Sequence, residues 1–224
     1  MATFLTLDRE GLFVALVMGL LLLGFGQAEG PFFLFVILVF LALSAVVTRF
    51  GEDVKKKAKT FEVSRGWKNV AANGLVPLLI AFVYFVDLHY GFVWKTALVV
   101  AYVSSIAAIT ADKFSSEIGV LDSRVIMLVT LKRIKPGVSG GVSVLGMMAG
   151  VLASYIIGLC FFQSSVFGAL LPIVTVAGVF GDIVDSLFGF LEVRGIGNKY
   201  SSNILGALAG GIAGVLLFSA FFVV

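Results

Sequence analysis

Apolar residues run along this chain in long blocks separated by short polar stretches, without the residue-by-residue alternation of an outer-membrane barrel. Each block approaches the roughly 20 residues that a helix needs to cross a bilayer, so the blocks predict transmembrane helices. Seven spans are expected, at 10–26, 31–50, 69–86, 92–110, 141–161, 166–186 and 203–223. The expected fold is all-α, a polytopic transmembrane helix bundle forming a single transmembrane domain over 1–224. The first block carries no A-x-A-like site and runs almost directly into the second at Pro31, so it is expected to be a retained helix rather than a cleaved signal.

Composition agrees: 60% of residues are hydrophobic and only 13% are charged, which excludes an ordinary soluble domain. The single cysteine, Cys160, lies in an apolar run and can build neither a disulfide nor a thiolate metal site alone. The net charge of +3 gains meaning from its placement, because Lys55, Lys56, Lys57, Lys59, Arg65 and Lys68 all fall in or beside the loop 51–68. By the positive-inside rule that loop is cytoplasmic. The N-terminus and residues 111–140 and 187–202 then share the cytoplasmic side of the cell membrane, and Asp87 and His89 lie outside, where His89 has no role to play. The Lys55–Lys59 run reads as a membrane-surface anchor, and no nucleic-acid partner is expected.

A shift of 70 residues lays "ADKFSSEIGVLDSR" over "GDIVDSLFGFLEVR", matching Asp112 with Asp182, Ser116 with Ser186, Gly119 with Gly189 and Arg124 with Arg194. The units, about 92–161 and 166–223, are each a helix, a polar motif and a glycine-rich returning helix, a parallel internal repeat. Asp182, Asp185 and Ser186 share a helix face at i, i+3 and i+4, as do Asp112, Ser115 and Ser116.

Acids amid lipid-facing sequence are costly, so Asp112, Glu117, Asp182 and Asp185 stand out as candidate ligands of Mg²⁺, with a phosphate-bearing substrate as its companion. The plainer alternative has them paired with Lys113, Arg124, Lys132 or Arg133 at solvated helix ends. In "KRIKPGVSGGVSVLG", Lys135 and Gly137 lead into Ser139, Gly140 and Gly141 at the start of a helix, an arrangement that can hold an anion on backbone amides. The same glycines could instead serve tight helix packing. "SRGWKNVAANG" places Arg65, Lys68, Asn69 and Asn73 at the entry to the third span, as phosphate-binding groups or headgroup anchors.

Together "DKFSSEIGVL", "KPGVSGGVSVLG" and "GDIVDSLFG" resemble the integral membrane family that contains the plant phytyl-phosphate kinase of tocopherol synthesis and its homologues. That family is distantly similar to CTP-dependent dolichol and phytol kinases and to CDP-diacylglycerol synthases. The resemblance implies transfer of the terminal phosphoryl group of a nucleoside triphosphate, CTP above all, to a prenyl monophosphate such as a phytyl or geranylgeranyl phosphate. It places the family's D-x-x-S-S-E-x-G element on Asp112, Ser115, Ser116, Glu117 and Gly119, its G-G-V element on Gly140, Gly141 and Val142 with Ser143 following, and its D-S-x-x-G element on Asp185, Ser186 and Gly189.

On this reading Asp112, Glu117 and Asp185, with Asp182, hold Mg²⁺. The Lys135–Gly141 loop cradles nucleotide phosphates, Arg65, Lys68 and Arg124 act on the acceptor phosphate, and the prenyl tail enters from lipid between spans. A cytidylyltransferase making a CDP-lipid would use the same groups. A cation-coupled secondary transporter is the alternative from another class, although the acids cluster at one predicted membrane face and not at the midplane. The glycine-rich helices also permit a homodimer.

Overall fold

The computed structural model describes residues 7–57, 61, 65–91, 93–162, 164 and 166–222; Lys59, Ser64 and the expected span limits 92 and 223 lie outside them. Helices dominate: α1 (Arg9–Gly26), α2 (Gly30–Arg49), the short α3 (Glu52–Lys57), α4 (Trp67–Tyr90), α5 (Lys95–Gly119), α6 (Val144–Gly158), α7 (Phe167–Val193) and α8 (Lys199–Phe221). Among the described residues, six segments are long and apolar enough to cross a membrane, the first being Arg9–Arg49. That segment contains α1 and α2, joined by the 3₁₀ turn Gln27–Glu29. It folds back on itself: a Cβ on Gly30 would lie 2.5 Å from the Leu23 carbonyl oxygen, a contact impossible in one straight helix.

Local chemistry sets several boundaries. Asp8 caps α1 by accepting from the Gly11 amide at 2.7 Å, Ser143 caps α6 through the Gly146 amide at 3.1 Å, and Asn198 with Ser201 forms a reciprocal capping box on α8. These caps correct the expected limits, since α6 begins after the Gly-Gly pair and α8 starts at Lys199. The larger corrections concern α5 and α7, which continue to Gly119 and Val193 instead of ending at 110 and 186. The Asp112–Gly119 and Asp182–Gly189 motifs are therefore helical, sheltered by neighbouring helices, and their polar residues do not end the helix as hydropathy alone implied. Among the described residues the departures from all-α structure are a small antiparallel pairing of β1 (Ile126–Met127) with β2 (Gly141–Val142) in the loop before α6 and the isolated bridges of Leu7 with Arg65 and Ile126 with Arg133.

Helix α5 is the bundle's axis, with 78% of its most apolar window buried against 33–39% in the other spans. It is rich in Ala and Ser, which suits a helix surrounded by protein, because in lipid close van der Waals packing replaces the hydrophobic drive between helices. Gly178 of α7 and Gly210 of α8 make this approach possible: a Cβ on either would sit 2.8 Å and 2.6 Å from the Cβ of Ala107 and Ala108. Large apolar side chains such as Phe13, Leu20, Met148 and Leu216 cover the outer faces. At one end of the bundle Lys95 pairs with Glu29 at 3.8 Å, and the motif acids gather at the other.

Candidate functional site

Two confluent cavities open at the polar end of the bundle. The first, about 250 Å³, lies among α5, α7, α8 and the loop that precedes α6, and it is lined by Asp112, Ser115, Ser116, Asp182, Asp185 and Ser186 together with Gly137, Ser139, Gly140 and Gly141. The second, about 340 Å³, is lined by Arg65, Asn69, Asn73, Lys113, Glu117 and Lys199. Asp112, Ser116, Gly137, Lys199 and Asn203 border both.

On the acidic side the two helices that carry the motifs are cross-linked by polar contacts. Ser115 Oγ of α5 donates to Asp182 Oδ2 of α7 at 2.5 Å. Gly150 of α6 makes room for that pair, since a Cβ there would collide with both partners. Asp112 and Asp185 line the same cavity, and Asp185 Oδ1 is buried without a hydrogen-bond partner among the described residues. Adjacent carboxyls with an orphaned acceptor are what a hard divalent cation would satisfy. Among the described residues no three His, Cys, Asp or Glu side chains converge into a complete cage. This donor set fits Mg²⁺, which commonly binds through one or two carboxylates and completes its shell with substrate phosphates and water.

The glycine loop is docked on the end of α7. Gly140 takes φ +75°, and a Cβ there would lie 2.6 Å from the Phe190 amide nitrogen and 2.9 Å from the Gly189 carbonyl carbon. Ser139 Oγ donates to Glu192 Oε2 at 2.8 Å, while Ser202 Oγ of α8 donates to Glu192 Oε1 at 2.5 Å. Glu192 thus ties the loop to both helices. Gly140→Ala combines left-handed strain, about 1–2 kcal/mol, with this collision. It should lower the melting temperature by several degrees and displace the loop, measurable by thermal denaturation and by protease sensitivity of residues 135–142.

The basic side is organised by one acid. Glu117 receives Lys55 Nζ at 2.7 Å, Arg65 Nη2 at 3.3 Å and a close ion pair from Lys113. Thr48 Oγ1 lies 3.4 Å from the same carboxylate, and Arg65 also reaches Ser44 and Thr48 at 3.5 Å. Three cations on one carboxylate leave a local surplus of positive charge beside a cavity, a setting that favours an anion. Asn203 Nδ2 donates to Asn73 Oδ1 at 3.0 Å, and Asn73 Nδ2 to Asn69 Oδ1 at 3.1 Å, a chain of amides along the cavity wall.

Lys55 corrects the reading of its run as a surface anchor. Its side chain is fully buried and its ammonium donates to the Val47 and Thr48 carbonyls at 2.8 Å and 3.1 Å, while Lys56 and Lys57 face outward. Those carbonyls belong to the last turn of α2, where a cation is favoured. Burial, reinforced by Arg65 and opposed by Glu52, pushes the Lys55 ammonium down to about 8, so it remains mostly cationic at neutral pH.

The structure brings together Arg65, Asn69, Asn73, Asp112, Ser115, Ser116, Glu117, Gly137, Ser139, Gly140, Gly141, Asp182, Asp185 and Ser186 around the two cavities. Ser143 also lines the first, but its hydroxyl serves as the α6 cap. Three predicted residues border neither cavity: Lys68 lies over the Trp67 ring at 5.8 Å, Lys135 is exposed, and Arg124 is exposed with its Nε 3.4 Å from Asp122 Oδ1. The Arg124 backbone amide, aided by its guanidinium, holds Asp122 below the usual carboxylate range. Sequence reasoning had not assigned Lys113, Glu192, Lys199, Ser202 or Asn203 to the site. The pairing of Asp122 with Glu192 in the 70-residue repeat was the available signal for Glu192.

Residues 2–201 match the family model described as integral membrane protein DUF92. The chain is similar to an uncharacterized membrane protein of Methanocaldococcus jannaschii, with 38% identity over 216 residues, 95% of this chain and 86% of that protein. It is also similar to Protein PGR of Arabidopsis thaliana, with 29% identity over 182 residues, 68% of this chain and 62% of the plant protein. No solved structure matches.

Proposed function

The chain belongs to the integral membrane protein family DUF92, and from the site built into this fold we propose that it is a nucleotide-dependent phosphotransferase acting on a lipid phosphate. The specific reading is a prenyl-phosphate kinase with CTP as donor, working at the cytoplasmic membrane face. The observation that supports it most is the juxtaposition of an acid- and glycine-lined cavity with a cation-lined one, sharing Asp112 between them. One half suits a metal-bound triphosphate and the other the phosphate of a second substrate.

Phosphoryl transfer asks chiefly for positioning and neutralisation of charge. Asp112 and Asp185 would hold Mg²⁺, with Asp182 kept beside them by Ser115, and the ion when bound would neutralise charge on the nucleotide phosphates. The amides of the 137–141 loop would cradle those phosphates, with Glu192 keeping the loop in place. Arg65, Lys113 and Lys199, aided by Asn69 and Asn73, would hold the acceptor phosphate. Glu117 is assigned to spacing these cations rather than to the metal, because its two oxygens are already engaged by Lys55, Arg65 and Lys113. An acceptor oxygen attacks the terminal phosphorus, the new P–O bond forms, and the bond to the β-phosphate oxygen breaks, releasing the nucleoside diphosphate. A phosphate monoester is already a competent nucleophile near neutral pH, so no strong general base is needed.

The test is to incubate purified protein with Mg²⁺, geranylgeranyl monophosphate and terminally radiolabelled CTP, then separate lipid and nucleotide products. Label in geranylgeranyl diphosphate together with CDP is the expected result. Pyrophosphate release with a CDP-type lipid would reassign the site to cytidylyl transfer. No nucleotide-dependent product from intact protein with any single-chain lipid monophosphate would reject the reading.

A further inference from the structure

The second cavity does not end at its polar wall. Phe40, Arg65, Asn69 and Asn73 also line the mouth of an apolar groove that runs between α1, α2 and α4, past Leu41, Leu38 and Leu34 of α2 and Met18, Gly19 and Leu22 of α1. From Ser44 at the mouth to Leu34 the groove follows ten residues of α2, about 15 Å of helix and about one half of the hydrocarbon core. Its rim faces outward at Leu38, which is 51% exposed. Beyond Leu22 the helices close on one another: the Phe33 and Tyr84 rings are 5.4 Å apart and the Phe25 and Phe82 rings 5.3 Å.

Small residues keep the groove open. Gly19 has only Leu34 Cδ1 near its missing Cβ, at 3.4 Å, and Gly74 accommodates the end of Met18, whose Cε would lie 2.5 Å from a Cβ there. The free volume is narrow, about 70 Å³, and methionine is an adaptable side chain for a wall that must yield to a ligand.

We propose that this groove is a lipid-tail site for one apolar chain. Its occupant is a single-chain lipid monophosphate whose phosphate sits at Arg65, Asn69 and Asn73 and whose far end is stopped near Leu22. The assignment of that lipid as the phosphoryl acceptor rests on the kinase reading above; occupancy of the groove does not. The narrowness and the single stopped end select one chain over the two chains of a diacyl phosphate. Continuity with the cationic cavity selects a phosphate over an uncharged head.

The experiment uses an alkyl monophosphate carrying a diazirine at its far end, added without nucleotide to the full chain in nanodiscs. After irradiation, peptide mapping should find the label on Met18–Leu22 and Leu34–Leu38. Geranylgeranyl monophosphate should displace it and phosphatidic acid should not. Gly19→Leu fills the groove and should weaken specific labelling by about tenfold, the affinity that two buried methylenes supply. Leu22→Ala opens the far end and should move the best-bound chain to a longer homologue.

Label scattered over the outer faces and insensitive to competitor would overturn the proposal, as would equal competition by phosphatidic acid. Site-specific labelling without turnover would remove the kinase reading and leave the groove standing. Turnover with an acceptor KM unchanged in Gly19→Leu and an unchanged chain-length profile in Leu22→Ala would do the reverse.

Discussion

Asp185→Asn is expected to lower turnover by about a hundredfold to a thousandfold, the loss that follows removal of one group aimed at charge in a phosphoryl or acyl transfer. The substitution keeps the shape of the side chain, so the contact of α7 with Gly206 of α8, where a Cβ would lie 3.0 Å from Asp185 Cβ, is undisturbed. It also removes one ionisable group from a buried cluster of three neighbouring acids, Asp112, Asp182 and Asp185. The melting temperature should therefore stay level or rise while activity falls, a trade typical of strained functional sites. Turnover measured as a function of Mg²⁺, alongside a thermal melt, separates the possibilities. Wild-type turnover with the wild-type Mg²⁺ requirement would remove Asp185 from the metal site.

The opposite balance is expected at Glu117. Glu117→Ala strips the shared partner from Lys55, Arg65 and Lys113 and leaves buried cations facing one another. Breaking a buried pair by deleting one member costs about 3–5 kcal/mol, which for a chain of this size corresponds to a melting temperature lower by about 10 °C or more. Glu117→Gln should be milder, and inorganic pyrophosphate should stabilise it more than it stabilises the wild type, because an anion replaces the missing charge. Activity that survives in Glu117→Gln should keep its Mg²⁺ dependence, unlike that of Asp185→Asn. As the contrasting exposed pair, Lys56 with Glu52 at 2.5 Å should contribute nothing measurable when Lys56 is replaced by Ala. A Glu117→Ala protein as stable as the wild type would remove the carboxylate from its organising role.

Much of this arrangement was legible in the chain. Hydrophobic blocks fix the number of apolar helices because a bilayer admits few other backbone structures, and the repeated Asp112 and Asp182 motifs mark the polar end because acids are too costly to scatter in lipid. Other features were illegible for a physical reason. The run Lys55–Lys57 contains one inward and two outward lysines, and only the helix phase of α3 and the waiting carbonyls of α2 select Lys55. Lys68, Arg124 and Lys135 looked as suitable for phosphate as Arg65, yet each points to a neighbour or to solvent outside the cavities. Lys199 and Asn203 carried no motif; they join the site because Gly181, Gly206 and Gly210 let α8 lie close along α7 and α5.

By itself, then, the sequence determined a membrane-spanning helical bundle with a duplicated acid motif and a glycine loop, since hydropathy, helical spacing and turn chemistry act over a few neighbouring residues. Tertiary structure decided which charges meet. Glu117 was equal to the aspartates as a ligand candidate until Lys55, Arg65 and Lys113, contributed by three separate stretches of chain, converged on it. The groove beside Arg65 exists only because α1, α2 and α4 meet at their aromatic ends and diverge at their polar ones. Such convergence depends on the packing of distant helices, which spacing within any one of them does not encode.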